Sequence, residues 1–192
     1  MTPRAVALPP DQRRDALVQA TLPLLLVHGR AVTTRQIAEA AGVAEGTIFR
    51  VFASKDELVE AAVRQAFVPG RVAGDLDAID PGAPLRERLV QVVTILQRRF
   101  TEIFGLMRAV GMVAPPDHDS EAHVRAREDV NARLLRLLNP DAGRLTMPPA
   151  ELMHVLRLLT FSASHSEIAD GRLLSPTQIV DIVLDGVLKK EV

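Results

Sequence analysis

Cysteine is absent from this 192-residue chain, which excludes a disulfide framework and thiolate chemistry alike. No apolar run is long enough to span a bilayer: Leu22 to Val27 is short and interrupted by Pro23. The first ten residues lack the apolar core of a secretory signal, so a cytoplasmic location with no membrane partner is expected. Also missing are G-x-S-x-G, H-E-x-x-H, a phosphate-binding glycine loop and a cysteine nucleophile, and no cofactor is expected. An enzyme reading survives only as an unrecognised His/Asp site around His118. Strand-like alternation, repeats and low-complexity stretches are lacking too, so the chain reads as all-α with about nine helices. The net charge is only −1, which argues against a protein that coats nucleic acid indiscriminately.

What is present is 47% hydrophobic and 24% charged sequence, enough for a substantial core in one or two domains. Charge is uneven: residues 1–55 carry seven Arg and Lys against four Asp and Glu, a net of +3 that leaves −4 for the rest. A local basic face in the N-terminal part is therefore expected.

The organising stretch is Thr33 to Leu58, TTRQIAEAAGVAEGTIFRVFASKDEL. Thr33 and Gln36 form a capping box, Ile37, Ala38 and Ala41 give an apolar edge, and Gly42 stands where the first helix stops. Val43 turns inward. A second helix from Glu45 to Val51 points Ile48 and Phe52 to the core and leaves Glu45, Gly46, Thr47, Phe49 and Arg50 outward. Two helices around a glycine turn are the helix-turn-helix pattern, whose second helix enters the major groove of DNA. Helix N-termini offer free N–H groups to phosphate, so Thr33 and Thr34 are expected phosphate binders. Base reading falls to Arg35, Gln36, Thr47 and Arg50, whose side chains can meet guanine, adenine or a thymine methyl. Gly46 permits close approach, and Glu45 is tolerable beside DNA as an acceptor for a cytosine amino group or as a cap.

The same residues resemble the DNA-binding segment of the TetR (tetracycline-repressor-like) family of bacterial regulators, through T-x-x-I-A-x-x-A-G-V-x-x-G-T-I-F-x-x-F-x-S-K-x-x-L from Thr34 to Leu58. The resemblance implies a further phosphate contact at Lys55. It also marks three departures: Ala44 where a capping Ser is usual, Phe49 where a Tyr gives its hydroxyl to phosphate, and Val51 where a His is common. The family implies a homodimer in which the last two helices pair with their copies as a four-helix bundle. It further implies release from a two-fold symmetric operator when a small, largely apolar effector rotates the helix beginning at Ser54.

Two domains are expected, a helix-turn-helix domain over 1–53 and a helical effector and dimerisation domain over 54–192. A proline-rich tail, in which Arg4 is a solvated charge, precedes a helix that Asp11 caps and that runs to about His28, burying Leu17, Leu24 and Val27. Pro23 should kink it or force a local repair. Ser54 to Glu57 form a second capping box. The span 69–84, with three Gly and three Pro, reads as a loop. Leu85, Leu89, Val92, Val93, Leu96 and Phe100 define an amphipathic helix, and Ile103, Phe104, Met107, Val110 and Met112 a short apolar segment after it. Loops are expected over 114–117 and 139–149, with a helix from Ser120 to Leu138 between them that turns Arg125, Arg127, Arg133 and Arg136 outward. The last helices run from Ala150 to about Asp170 and from Pro176 to Lys189. The second is capped by Ser175 and Gln178 and is more apolar than one core requires, through residues from Ile179 and Ile182 to Val187 and Leu188.

Candidates to line an effector pocket are Phe67, Phe100, Phe104, Met107, Met112, Met153, His154, Arg157 and Phe161. Phenylalanine and methionine fill ordinary cores more often than they line ligand pockets. Arg157 is more telling, since a charge on an apolar helix needs a partner or water. His154 and His165, eleven residues apart, share a face and suit an interface or a satisfied structural role. His118 and His123, with Asp117, Asp119 and Glu121, lack a recognised metal spacing and read as a solvated loop, so no metal site is expected. The leading reading is a dimeric, ligand-responsive repressor. A DNA-binding regulator with no small-molecule effector stands as its alternative, and a small helical enzyme as the remote one.

Overall fold

The computed structural model describes residues 9–111 and 121–187, apart from the side chains at 70, 122, 123, 186 and 187. Expectations for Arg4, Met112, the 114–117 loop, His118 with Asp117 and Asp119, Ser120, Leu188 and Lys189, and for the side chains of His123 and Val187, lie outside the described residues. Among the described residues there are eight α-helices, three short 3-10 turns and no strand.

Helix α1, Pro10–His28, begins with Pro10 in its first turn; Pro9 caps it without a side-chain bond. Asp11 is therefore not the cap but a first-turn acid, where its charge meets the positive helix end. Pro23 lies within the helix without ending it. The buried stripe is Leu17, Val18, Thr21 and Leu25; Leu24 is half-buried and Val27 is 75% exposed. Val27 stands two residues past Leu25, about 200° around the axis, and so faces away from the stripe. A 3-10 turn, Gly29–Ala31, follows.

Helices α2 (Thr34–Ala41) and α3 (Lys55–Phe67) flank a 3-10 helix, Glu45–Arg50. Helix α4, Gly70–Asp77, occupies part of the expected 69–84 loop. Val72, Leu76 and Ile79, spaced by four and three, are all buried, and that stripe overrides the glycines and prolines around it. Helix α5, Leu85–Val110, is a single element that absorbs the segment expected to follow it. Helix α6 spans Glu121–Leu138; Arg125, Arg127 and Arg136 are exposed, whereas Arg133 is half-buried. A 3-10 turn, Asn139–Arg144, replaces part of the next expected loop.

Helix α7, Pro149–Ala163, ends seven residues before Asp170. Asp170 and Gly171 take positive φ of 47° and 74°, a local reversal no helix contains. His165 thus lies beyond the helix end and shares no helical face with His154. Helix α8, Pro176–Val187, starts at the expected box: Ser175 N donates to Gln178 Oε1 at 2.9 Å, and Gln178 N to Ser175 Oγ at 3.3 Å.

The chain divides into two compact units, Met1–Phe67 with Gly105–Asp117, and Val68–Phe104 with His118–Val192. In the first, α1 packs on α2 and α3, with Leu17, Leu25, Ile37, Ile48, Phe52 and Leu58 fully buried. In the second, Leu76, Leu89, Leu134, Leu138, Leu152, Leu156 and Ile179 are among the members of one core fed by α4 to α8. Arg88 is buried there. Its Nε donates to Ala83 O at 2.8 Å, and its other nitrogens reach Leu137 O and Asp141 Oδ2. Asp141 also accepts from Arg144 at 2.8 Å. No described helix is long and apolar enough to cross a membrane.

Candidate nucleic-acid interface

Thr33 sits in extended backbone before α2; its N–H donates to Gln36 Oε1 at 2.8 Å, and Gln36 N donates to Thr33 Oγ1 at 3.2 Å. The Thr33 hydroxyl reaches the same Gln36 oxygen at 2.9 Å. Gln36 Nε2 lies 3.4 Å from His28 Nε2. Both ends of this amide are occupied, so Gln36 holds the helix start and is poorly placed to read an adenine.

At the far end of α2, Gly42 takes φ 67° and ψ 30°. Its N–H donates to Glu39 O at 3.2 Å while Val43 N donates to Ala38 O at 2.9 Å, the paired bonds of a Schellman stop. The chain reverses there and enters Glu45–Arg50. Ala44 precedes this turn with no side-chain cap, in keeping with the missing hydroxyl at that position. A different bond ties the two helical pieces: Thr34 Oγ1 donates to Glu45 Oε1 at 2.5 Å. The Glu45 carboxylate is thereby held at the base of the motif, and the hydroxyl of Thr34, expected on phosphate, is engaged.

Ile48 and Phe52 anchor the second piece from below, at 0% and 1% exposure. Arg14 stacks its guanidinium 4.3 Å from the centre of the Phe52 ring and lies 3.8 Å from Glu57. Anchored this way, the turn presents Glu45, Gly46, Phe49 and Arg50 to solvent and Thr47 half-buried. Phe49 is 55% exposed, a large apolar surface that its own unit leaves uncovered. Nothing lies within 4 Å of where a Cβ at Gly46 would stand, so space in this unit does not demand that glycine. Arg35 and Arg50 are both exposed and form no hydrogen bond or ion pair among the described residues.

Lys55 opens α3, and its Nζ donates to Arg30 O at 3.0 Å. Arg30 in turn donates from Nε to Val110 O at 3.1 Å. Gly29, beside it, has φ 56°, and a Cβ there would fall 2.3 Å from Ala109 O. This clamp between the 29–31 turn and the end of α5 left no mark in the sequence beyond one glycine. Ser54 accepts from Glu57 N at 3.1 Å, and Glu57 Oε2 accepts from Ala53 N at 2.7 Å, so the second capping box forms one residue out of its usual register.

The described residues named for an effector pocket are divided between the two units. Phe67 and Met107 belong to the first unit. Phe104 lies with its ring centre 6.3 Å from Phe100 and 4.9 Å from Phe161, and His165 packs edge-on to it at 4.5 Å. Met153, His154 and Arg157 line a groove of about 240 Å³ with Asn131, Leu135 and Ala150. None of the phenylalanines lines it.

Residues 17–62 match the family model described as bacterial regulatory proteins, tetR family. The chain is 38% identical over 94 residues to the uncharacterized HTH-type transcriptional regulator YvkB of Bacillus subtilis, covering 45% of this chain and 50% of that protein. It is 35% identical over 80 residues to the HTH-type transcriptional repressor KstR2 of Mycobacterium tuberculosis, covering 41% and 40%. These matches therefore span half or less of the relatives' own length. The crystal structure of a tetR-family transcriptional regulator from Streptomyces coelicolor aligns with a TM-score of 0.61 over 94% of this chain and 80% of that one, at 19% identity, which speaks to the fold.

Proposed function

We propose, from the match of residues 17–62 to the tetR family of bacterial regulatory proteins, that the chain is a transcriptional repressor of that family that binds a two-fold symmetric DNA operator as a homodimer in the cytoplasm. The observation that carries this reading is the free pair Arg35 and Arg50, held out on a scaffold whose polar side chains at Thr33, Thr34, Gln36 and Glu45 bond within the motif. A cation without an internal partner is available to a phosphate or a guanine edge, and Arg35 stands in the first turn of α2. Arg35, Thr47 and Arg50 read bases, with Gly46 and Phe49 set against the groove. The N-terminal backbone of α2, from Thr34 on, and of the Glu45–Arg50 turn meets phosphate through free N–H groups, and Lys55 contributes from its clamp on Arg30.

Dimerisation falls to α7 and α8. Val155, Leu158 and Phe161 on α7 and Ile182 on α8 are 38%, 53%, 39% and 56% exposed, an apolar surface that a copy of the same helices would cover. Two copies must set their second helices roughly 34–36 Å apart to reach successive major grooves. A small ligand that favours a different spacing lowers DNA affinity, and by linkage DNA lowers affinity for the ligand by the same factor.

Selection of bound fragments from genomic DNA of the source organism, near physiological salt, tests the reading. A reproducible two-fold symmetric site is the expected result. No enrichment, even at lower salt, rejects the operator-binding role.

A further inference from the structure

We infer that the groove between α6 and α7 is a binding site for a small carboxylate with an apolar tail, and, resting on the regulator reading above, that such a carboxylate is the effector class. Six residues line it: Asn131 and Leu135 from α6, and Ala150, Met153, His154 and Arg157 from α7. Its volume of about 240 Å³ falls below the range of pockets for drug-sized ligands, which limits the occupant to a small molecule. No acidic side chain is among the six, so the charge inside is that of Arg157.

Arg157 is singled out by comparison with the other shielded arginines of its unit. Arg88 is buried on Asp141, Arg133 is paired with Asp77 and Asp129, and Arg99 donates to Val68 O. Arg157 is half-buried like Arg99 and Arg133, yet forms no hydrogen bond or ion pair among the described residues. A shielded guanidinium wants an anion, and its planar fork matches a carboxylate in two parallel hydrogen bonds. Asn131 and His154 stand exposed at the same groove with amide and imidazole groups for the remaining oxygen lone pairs. Met153 is 6% exposed and Leu135 half-buried, so the floor is apolar and suits a hydrocarbon tail. An uncharged or cationic ligand of the same size forgoes the guanidinium or meets it with like charge.

Isothermal titration of the full chain with hexanoate, with hexanamide and hexylamine as matched probes, tests the site without DNA. Hexanoate is expected to bind, with hexanamide and hexylamine weaker by roughly tenfold or more, the scale of one lost charge-assisted hydrogen bond. Arg157→Gln should weaken hexanoate by a similar factor while leaving thermal unfolding unchanged. Ala150→Leu, at an exposed position, should narrow the groove and weaken binding with no loss of fold. The inference is overturned by the absence of hexanoate binding, by equal binding of hexanamide, or by unaltered hexanoate binding in Arg157→Gln. Operator binding is measured separately with no carboxylate present. A chain that binds hexanoate but no DNA keeps the groove and loses the regulator reading; the reverse result keeps the regulator and removes the groove.

Discussion

Arg35 and Arg50 differ from their neighbours in what they do for the fold, because Thr33, Thr34, Gln36 and Glu45 all bond within the motif while the two arginines do not. Arg50→Ala should therefore leave the melting temperature unchanged and cost about 1–3 kcal/mol of operator affinity, with preference relaxed at one base-pair position. Fluorescence anisotropy against a set of single-base operator variants reads this directly; a uniform loss with a shallower salt slope would assign Arg50 to phosphate instead. Gly42 carries the opposite burden. Its φ of 67° has no crowding around it, so strain alone decides a substitution. Gly42→Ala should destabilise by about 1 kcal/mol, and Gly42→Asn by less, since asparagine tolerates the left-handed region; urea unfolding of both variants checks the order. The Thr33 and Ser175 caps and the Gly42 stop were legible because each follows from one residue type at one spacing, whereas Asp11 proved to be a first-turn acid and not a cap. That Gln36 is committed on both sides was not, since its Nε2 contact comes from His28, outside the motif.

Among the elements, the two that sequence reading missed failed for opposite reasons. The punctuation of 69–84 concealed α4, whose apolar stripe of Val72 and Leu76, continued by Ile79 just past its end, was present but outvoted. The long apolar run of α7 suggested a helix to Asp170, but the chain leaves the helix after Ala163 and reverses at Asp170 and Gly171. The Arg88 linkage was invisible because charge alone does not disclose burial. Removing Arg88 leaves the shielded Asp141 with the exposed Arg144 alone and takes the donors from Leu137 O and Ala83 O, so Arg88→Met should cost about 3–5 kcal/mol in chemical denaturation. Arg88→Met combined with Asp141→Leu should recover much of that. The Asp77 carboxyl is held below its usual value of 3.8, first by its hydrogen bond from Arg133 and then by the charges of Arg133 and Arg136. A depressed folded pKa means stability that is present above the unfolded value and lost as pH falls through the folded one. Asp77→Asn should accordingly flatten the fall in stability below about pH 4, seen in acid titrations monitored by circular dichroism.

For the molecule as a whole, the all-helical class and the family were readable, since one dense motif and a long 3.6-residue periodicity carry them. The division into units was less so, because the last turn of α5 groups with residues far upstream of it, and chain order gives no hint of that. Apolar excess on the last helix was visible in the sequence; the structure shows that Ile179, Val180, Val183 and Leu184 are absorbed by its own core and that Ile182 stays out. Leu158→Glu should therefore yield a monomer in sedimentation velocity at unchanged helix content. Operator affinity should drop by roughly 10²–10⁴-fold, as expected when two linked half-site contacts become one. The independence of Arg35 and Arg50 from the fold also bears on descent. On the proposed reading, either copy can after a duplication exchange these two side chains and drift to a new target sequence, with no compensating change required elsewhere in the motif. Lineages of such proteins should vary fastest at Arg35 and Arg50 and slowest at Thr33, Gly42 and Ile48.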